Sequence, residues 1–217
     1  MGFHTDTSDP DFDRVTEVFD AAVADLAAAG AVIVDPIVIA DLKALLATRA
    51  RVDADDEASF DLYVSGSAAS PFANRREAMA SPLFDETMRG VKQRWLHKNT
   101  LEQHHAYLRA REVLMMNLHA VMAAHGLDAI VHKAVEHTPT LIRDGVNPPY
   151  VDQRGAPHLN TFLTFVPSVV VPAGFTSTGL PAGITFLGRP YEDASMLRLA
   201  YAYEQATKKR VPPKVTP

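Results

Sequence analysis

Cysteine is missing altogether from these 217 residues. Its absence excludes disulfides, a thiol nucleophile and thiolate metal ligation, and it fits a reducing compartment, for which the cytoplasm is the expectation. No apolar run approaches the roughly 20 residues needed to cross a bilayer. The stretch from Met1 to Asp9 has neither the basic nor the apolar region of an export signal. No membrane partner is expected. Met1-Gly2 opens like a myristoylation signal, but Asp6 stands where that signal requires serine or threonine. Positive charge is scarce too: 21 basic against 26 acidic side chains leave a formal charge of -5, with no broad attraction for phosphate backbones. Nucleic acid is therefore not an expected partner. The one basic cluster is Lys92, Arg94, His97 and Lys98, around the only tryptophan. Trp95 continues Phe84, Met88 and Val91 at helical spacing, so it reads as a core residue beside a solvated basic face.

An apolar content of 47% with 22% charged residues is ordinary for one globular domain, and no linker divides the chain. Residues 10 to 29 read as a helix. Asp9 stands at its N-cap, Pro10 at its first position, and Gly30 just beyond its end, with an apolar stripe of Val15, Val18, Phe19, Ala22, Val23 and Leu26. Ala31 to Val34 is short, apolar and β-branched, as a strand covered on both faces would be. Leu42, Leu45 and Leu46 mark a short helix, and another spans Glu57 to Val64. From Pro82 to His125 the pattern is helical, with a break near Asn99-Thr100, where Thr100 can cap a second segment. Leu101, Leu108, Met115, Leu118 and Met122 form the buried side of that segment, and Gly126 ends it.

A strand is expected over Asp128 to Val135. Residues 136 to 159 are too rich in proline and glycine for long regular structure, and a loop of that length commonly forms a pocket wall or lid. The chain closes with a strand at Ser168 to Val171, a turn, and a return strand at Gly183 to Leu187. A helix capped by Asp193 follows, carrying Leu197, Ala200, Tyr201 and Glu204. Helices feeding short apolar strands define an α/β fold, a mixed β-sheet flanked by helices.

Candidates for chemistry are mostly negative. Five of the nine histidines fall within His97 to His125, but His104 and His105 are adjacent and His119 and His125 are six apart, so neither pair shares a helix face as metal ligands require. No metal site is expected. Ser65-Gly66-Ser67 lacks the flanking glycines of a nucleophile elbow and reads as a helix connector. Asp53, Asp55, Asp56 and Glu57 read as the solvated start of a helix. Neither G-x-G-x-x-G nor G-K-[ST] occurs, so no phosphate-binding cofactor is expected.

Several segments, taken in order, carry a resemblance. They are Asp9-Pro10 with Gly30-Ala-Val-Ile-Val-Asp35 and Pro36-Ile-Val-Ile39, then Leu127-Asp-Ala-Ile-Val131, then Asn160-Thr-Phe162 with Pro167-Ser-Val-Val-Val-Pro-Ala-Gly-Phe175. Gly179-Leu-Pro-Ala-Gly183, Leu187-Gly-Arg-Pro190 and Tyr201-Ala-Tyr-Glu-Gln-Ala-Thr207 complete the series. This series resembles the C-terminal half of the amidase signature family. The resemblance implies carboxamide hydrolysis through an acyl-enzyme, with a Ser-cisSer-Lys set that the family draws from its N-terminal half. No position here matches that set or its Gly/Ser-rich segment, so no residue is assigned as catalytic.

By the same resemblance, His137, Thr138, Pro139, Asn160 and Phe162 are expected to face a small-molecule amide substrate. Relatives often have proline where this chain reads His132-Lys133-Ala134. Residues 1–217 are expected to form the C-terminal portion of a single amidase domain, inactive alone. The alternative is a half-fold that pairs with a separate N-terminal polypeptide, in a split amidase or an amidotransferase-like complex; a homo-oligomer is also open. Either way, uncovered apolar surface is expected near Ala31 to Val34 and near Ser168 to Val171.

Overall fold

The computed structural model describes residues 10–48, 54–87, 99–149 and 166–212. They divide into two compact units, Met1–Leu42 with Leu114–Pro217, and Lys43–Val113. In chain order the elements are α1 (Pro10–Ala28), α2 (Leu42–Ala47), α3 (Ala54–Ser65), α4 (Arg75–Ala80), α5 (Pro82–Thr87) and α6 (Leu101–Ala124). Then follow β1 (Ile130–Lys133), α7 (Ile142–Val146), β2 (Ser168–Phe175), β3 (Pro181–Leu187) and α8 (Asp193–Thr207). The α/β class holds, with the three strands forming one antiparallel sheet in the order β1-β3-β2.

The first unit is built on β3, which is hydrogen-bonded on both sides. Its alternation sends Ala182, Ile184 and Phe186 to one face, where they bury against Val15, Val18, Phe19 and Ala22 of α1 and Met196, Ala200 and Tyr203 of α8. Phe186 and Tyr203 meet with ring centroids 5.9 Å apart and planes tilted by 57°, a favourable aromatic geometry. The stripe expected on α1 is the one that packs. Gly30 then takes φ +98, a conformation that favours glycine, and Ala31 N-H closes the helix end on Leu26 O.

Two motifs of the C-terminal region acquire physical reasons. A Cβ on Gly183 would lie 3.0 Å from Val170 Cγ1, 3.1 Å from Ala134 Cβ and 3.2 Å from Val171 O, so a side chain there would press the flanking strands apart by a few tenths of an ångström. In Leu187-Gly-Arg-Pro190, Arg189 Nη2 donates to Leu127 O at 2.7 Å while Nη1 reaches Glu192 Oε1 at 3.2 Å. The arginine therefore ties the end of β3 to the entry of β1.

In the second unit, Asn74 caps α4 by accepting from Glu77 N-H at 2.9 Å. The expected break before α6 is a reciprocal capping box: Gln103 N-H donates to Thr100 Oγ1 at 3.1 Å, and Thr100 N-H to Gln103 Oε1 at 2.8 Å. Helix α6 begins in this unit and continues into the first.

Five expectations need correction or placement. Ala31 to Val34 is not a covered strand: among the described residues it pairs with no strand, and Val32 is 90% exposed, with Ile33 and Val34 also exposed. β-Branched residues favour a strand only where a neighbour supplies the ladder. On α6 the buried line is Tyr107, Ala110, Leu114, Leu118 and Met122; Leu118 and Met122 agree with the spacing, but Leu101 is 71% exposed and Leu108 is exposed as well. Asp193 is the first residue of α8 rather than its cap; Glu192 precedes it and turns its carboxylate back to Arg189 N-H. The inward residues of α8 are Met196, Ala200 and Tyr203, with Leu197 and Tyr201 exposed. Asp9, Trp95 and its basic neighbours lie outside the described residues.

Uncovered apolar surface does occur at the two expected places, Val32 to Val34 and, on β2, Val170. Gly183→Ala is expected to lower stability by about 1–3 kcal/mol through overpacking, read as a lower urea midpoint with an unchanged slope. An unchanged midpoint would show that the strands part without cost.

Candidate functional site

Polar chemistry concentrates where β1 leaves the sheet. His132, Lys133, Glu136 and His137 are all buried within six residues of sequence, while other buried ionisable groups among the described residues are few. Burial of so many polar groups is costly unless each is compensated. The side chains alternate across the strand, and β1 pairs with β3 as His132↔Thr185 and Lys133↔Ile184. Lys133 thus enters the face covered by α1, and His132 the opposite face beside the fully buried Thr185.

Lys133 is 4% exposed. Its ammonium donates to Thr16 Oγ1 and stands 4.0 Å from the centroid of the Phe12 ring, so the first turns of α1 receive the charge through one hydrogen bond and one aromatic face. Burial pulls its pKa below the ordinary lysine value, opposed by the carboxylates of Glu136, Asp20 and Asp13. Thr16 Oγ1 in turn donates to Phe12 O at 2.7 Å. The end of β1 is in this way fastened to α1 by a cation.

His132 Nδ1 lies 2.7 Å from Lys133 O, a contact that requires the Nδ1-H tautomer. Burial holds its pKa below 6.5, opposed by that same hydrogen bond, which favours the protonated ring. Among the expected substrate-facing residues, His137 is buried, Thr138 half-buried and Pro139 exposed, so they run from core to surface along one short loop. Asn160 and Phe162 lie outside the described residues. Sequence reasoning misses Lys133 and Glu136 as site residues; the available signal is the charged pair in and just after an otherwise apolar strand.

The other sequence candidates come to rest as connectors. Ser65 ends α3 with its hydroxyl donating to Leu62 O at 2.8 Å, and Ser67 is exposed in the turn beyond. His104 and His105 diverge with rings 6.4 Å apart. Among the described residues, no group of three or more histidine, aspartate or glutamate side chains is placed to hold a metal ion. No helix among them is long and apolar enough to cross a membrane.

Comparison with known proteins places this geometry in a class. Residues 2–197 match the Amidase family, and the chain belongs to it. An amidase family protein from Bacillus anthracis str. Ames superposes with a TM-score of 0.67 at 21% identity, over 99% of this chain and 39% of that one. The native peptide amidase from Stenotrophomonas maltophilia gives 0.61 at 25% identity, over 91% and 41%. In sequence, a Glutamyl-tRNA(Gln) amidotransferase subunit of Roseobacter denitrificans is 34% identical over 108 residues, 46% of this chain and 21% of the relative. The chain thus spans about two fifths of these two solved chains, and its aligned segment about one fifth of that curated relative.

A histidine whose folded pKa lies below its unfolded value gives stability that is whole above pH 6.5 and is lost as pH falls from there through the folded value. The thermal midpoint is therefore expected to drop between pH 7.5 and pH 5. His132→Asn, which keeps a neutral donor near Nδ1, is expected to shed that part of the drop. Equal drops in both proteins would remove His132 as the source.

Proposed function

We propose that this chain acts as the C-terminal part of an amidase signature hydrolase, converting a small carboxamide to a carboxylic acid and an amine or ammonia. The observation that carries the reading is a family match over residues 2–197 in a sequence without the Gly/Ser-rich segment and its lysine. In such a reaction a serine oxygen bonds to the amide carbon, and the amine leaves with a proton relayed through the second serine and the lysine. Water then cleaves the resulting ester. A serine without its base and oxyanion donors is a poor nucleophile at neutral pH, so on this reading the chain alone is inactive.

Its own contribution is wall and backing. His137, Thr138 and Pro139, with Asn160 and Phe162, line the amide site, and the charged anchor at Lys133 ties the strand that precedes His137 to α1. Residues 1–217 count as one portion of a single amidase domain, working in the cytoplasm without cofactor or metal. A second reading, in which the chain pairs with a separate N-terminal polypeptide, is favoured by relatives named as Glutamyl-tRNA(Gln) amidotransferase subunits. The two differ in whether the catalytic groups lie on the same polypeptide.

The test is turnover of a peptide amide, glutamine and an aryl amide. The isolated chain is expected to give none. A fusion to the part of the Stenotrophomonas maltophilia peptide amidase that this chain does not match is expected to hydrolyse at least one, with Ser65→Ala and Ser67→Ala within about twofold of the parent. Turnover by the isolated chain that survives repurification would sink the reading.

A further inference from the structure

An open groove lies beside β1, with Val32 to Val34 on its other wall. Where the strand ends, charge is enclosed instead. Lys133 and Glu136, three residues apart, are 4% and 2% exposed. The Lys133 ammonium meets Thr16 Oγ1 and the Phe12 ring, and both are neutral groups. They orient the ammonium without cancelling its charge. Three carboxylates face it, those of Glu136, Asp20 and Asp13. Asp13 and Asp20 stand exposed on α1, where water screens them, whereas Glu136 is inside. A buried charge is tolerated when an opposite charge shares its surroundings, so Glu136 is the counter-charge of Lys133.

The chain has to turn to bring these charges together. In a straight strand, residues three apart point to opposite faces and lie about 10 Å apart along the axis. Ala134 keeps the ladder with its N-H on Gly183 O at 3.0 Å, and the chain then bends at Glu136 and His137. The bends keep the Glu136 carboxylate inside, within reach of the Lys133 charge. His137 follows at once and is buried, Thr138 is half-buried and Pro139 exposed. The place of all three is therefore set by where Glu136 is held.

We infer that Lys133 is a positioning residue for the loop after β1. Held on α1 by Thr16 and Phe12, its ammonium keeps Glu136 inside, and Glu136 in turn sets the course of His137 to Pro139. Three elements are linked in this way: α1 supplies the fixed point, β1 carries the cation, and the loop carries the anion. Neither charged residue needs to touch an amide for this. That the loop faces an amide rests on the proposed amidase reading; the placing of the loop by the two charges does not.

The experiment uses the full chain and reads its thermal midpoint together with the NMR signals of the His137 ring and of the Thr138 and Thr140 amides. Lys133→Met keeps the length of the side chain and removes the charge, which strands the Glu136 carboxylate in the interior. It is expected to lower the midpoint by about 10 °C and to displace the loop signals. Adding Glu136→Gln removes the stranded charge and is expected to recover at least about half of the lost midpoint. In this double variant the loop signals are expected to stay displaced, while the amides of β2 and α8 keep their parental positions. Should the single variant fail to fold, the comparison of parent and double variant still decides.

Parental loop signals in the double variant would overturn the inference, because the two charges would then matter to stability alone. So would a Lys133→Met chain with the midpoint and loop signals of the parent. In the fusion described above, the double variant is expected to raise KM at least about fivefold and to lower kcat by less. Displaced loop signals with an unchanged KM would leave the positioning in place and remove the amide-facing role of the loop, so the two readings fail separately.

Discussion

The two-sided pairing of β3 is the constraint on which the rest of the first unit depends. A strand bonded on both edges and covered on both faces leaves no freedom of register, because a slip of one residue would move Ile184 and Phe186 away from α1 and α8 and replace them with Gly183 and Thr185. Gly183 exists for that closeness, and Arg189 fixes the strand's end to Leu127 O. Gly188, just before it, lies so close to Met196 that an added Cβ would meet that side chain at 2.9 Å. The short motifs near the C-terminus are thus the places where strand, neighbour and helix approach most nearly.

What is legible in the sequence follows from that geometry. The α1 stripe, the β2-β3 hairpin, the Thr100 cap and the Gly126 stop are local signals, each decided by residues within a few positions, and the structure carries them. Gly126 at φ +60 with Leu127 N-H on Met122 O is such a case. The inward face of α6 is only half legible. Leu118 and Met122 point inward, but along the preceding turns Tyr107 and Ala110 take the place that spacing gives to Leu101 and Leu108. Leucine is common on both faces of that helix, so the pattern alone does not choose.

The Ala31 to Val34 run misleads for a deeper reason. Its composition is that of a strand, yet a strand is a relation between two segments, and among the described residues nothing pairs with it. The site is legible as a location and not as a mechanism. The loop after β1 can be named from family resemblance, whereas the burial of Lys133 under Phe12 depends on a residue 121 positions earlier in sequence, and no local pattern encodes that contact.

Burial and exposure in this chain run against the usual order at two adjacent places. Exposed aliphatic residues are ordinary when scattered, and the informative cases are contiguous apolar exposure and buried charge. Here Val32 to Val34 stand in solvent on one wall of the β1 groove, while Lys133 and Glu136 are enclosed at the far end of the same strand. A charge held inside costs desolvation, and the structure offsets it with Thr16, the Phe12 ring and nearby carboxylates. An apolar wall left in water is not offset by anything within the described residues. The first arrangement is complete; the second is apolar surface that no described residue covers.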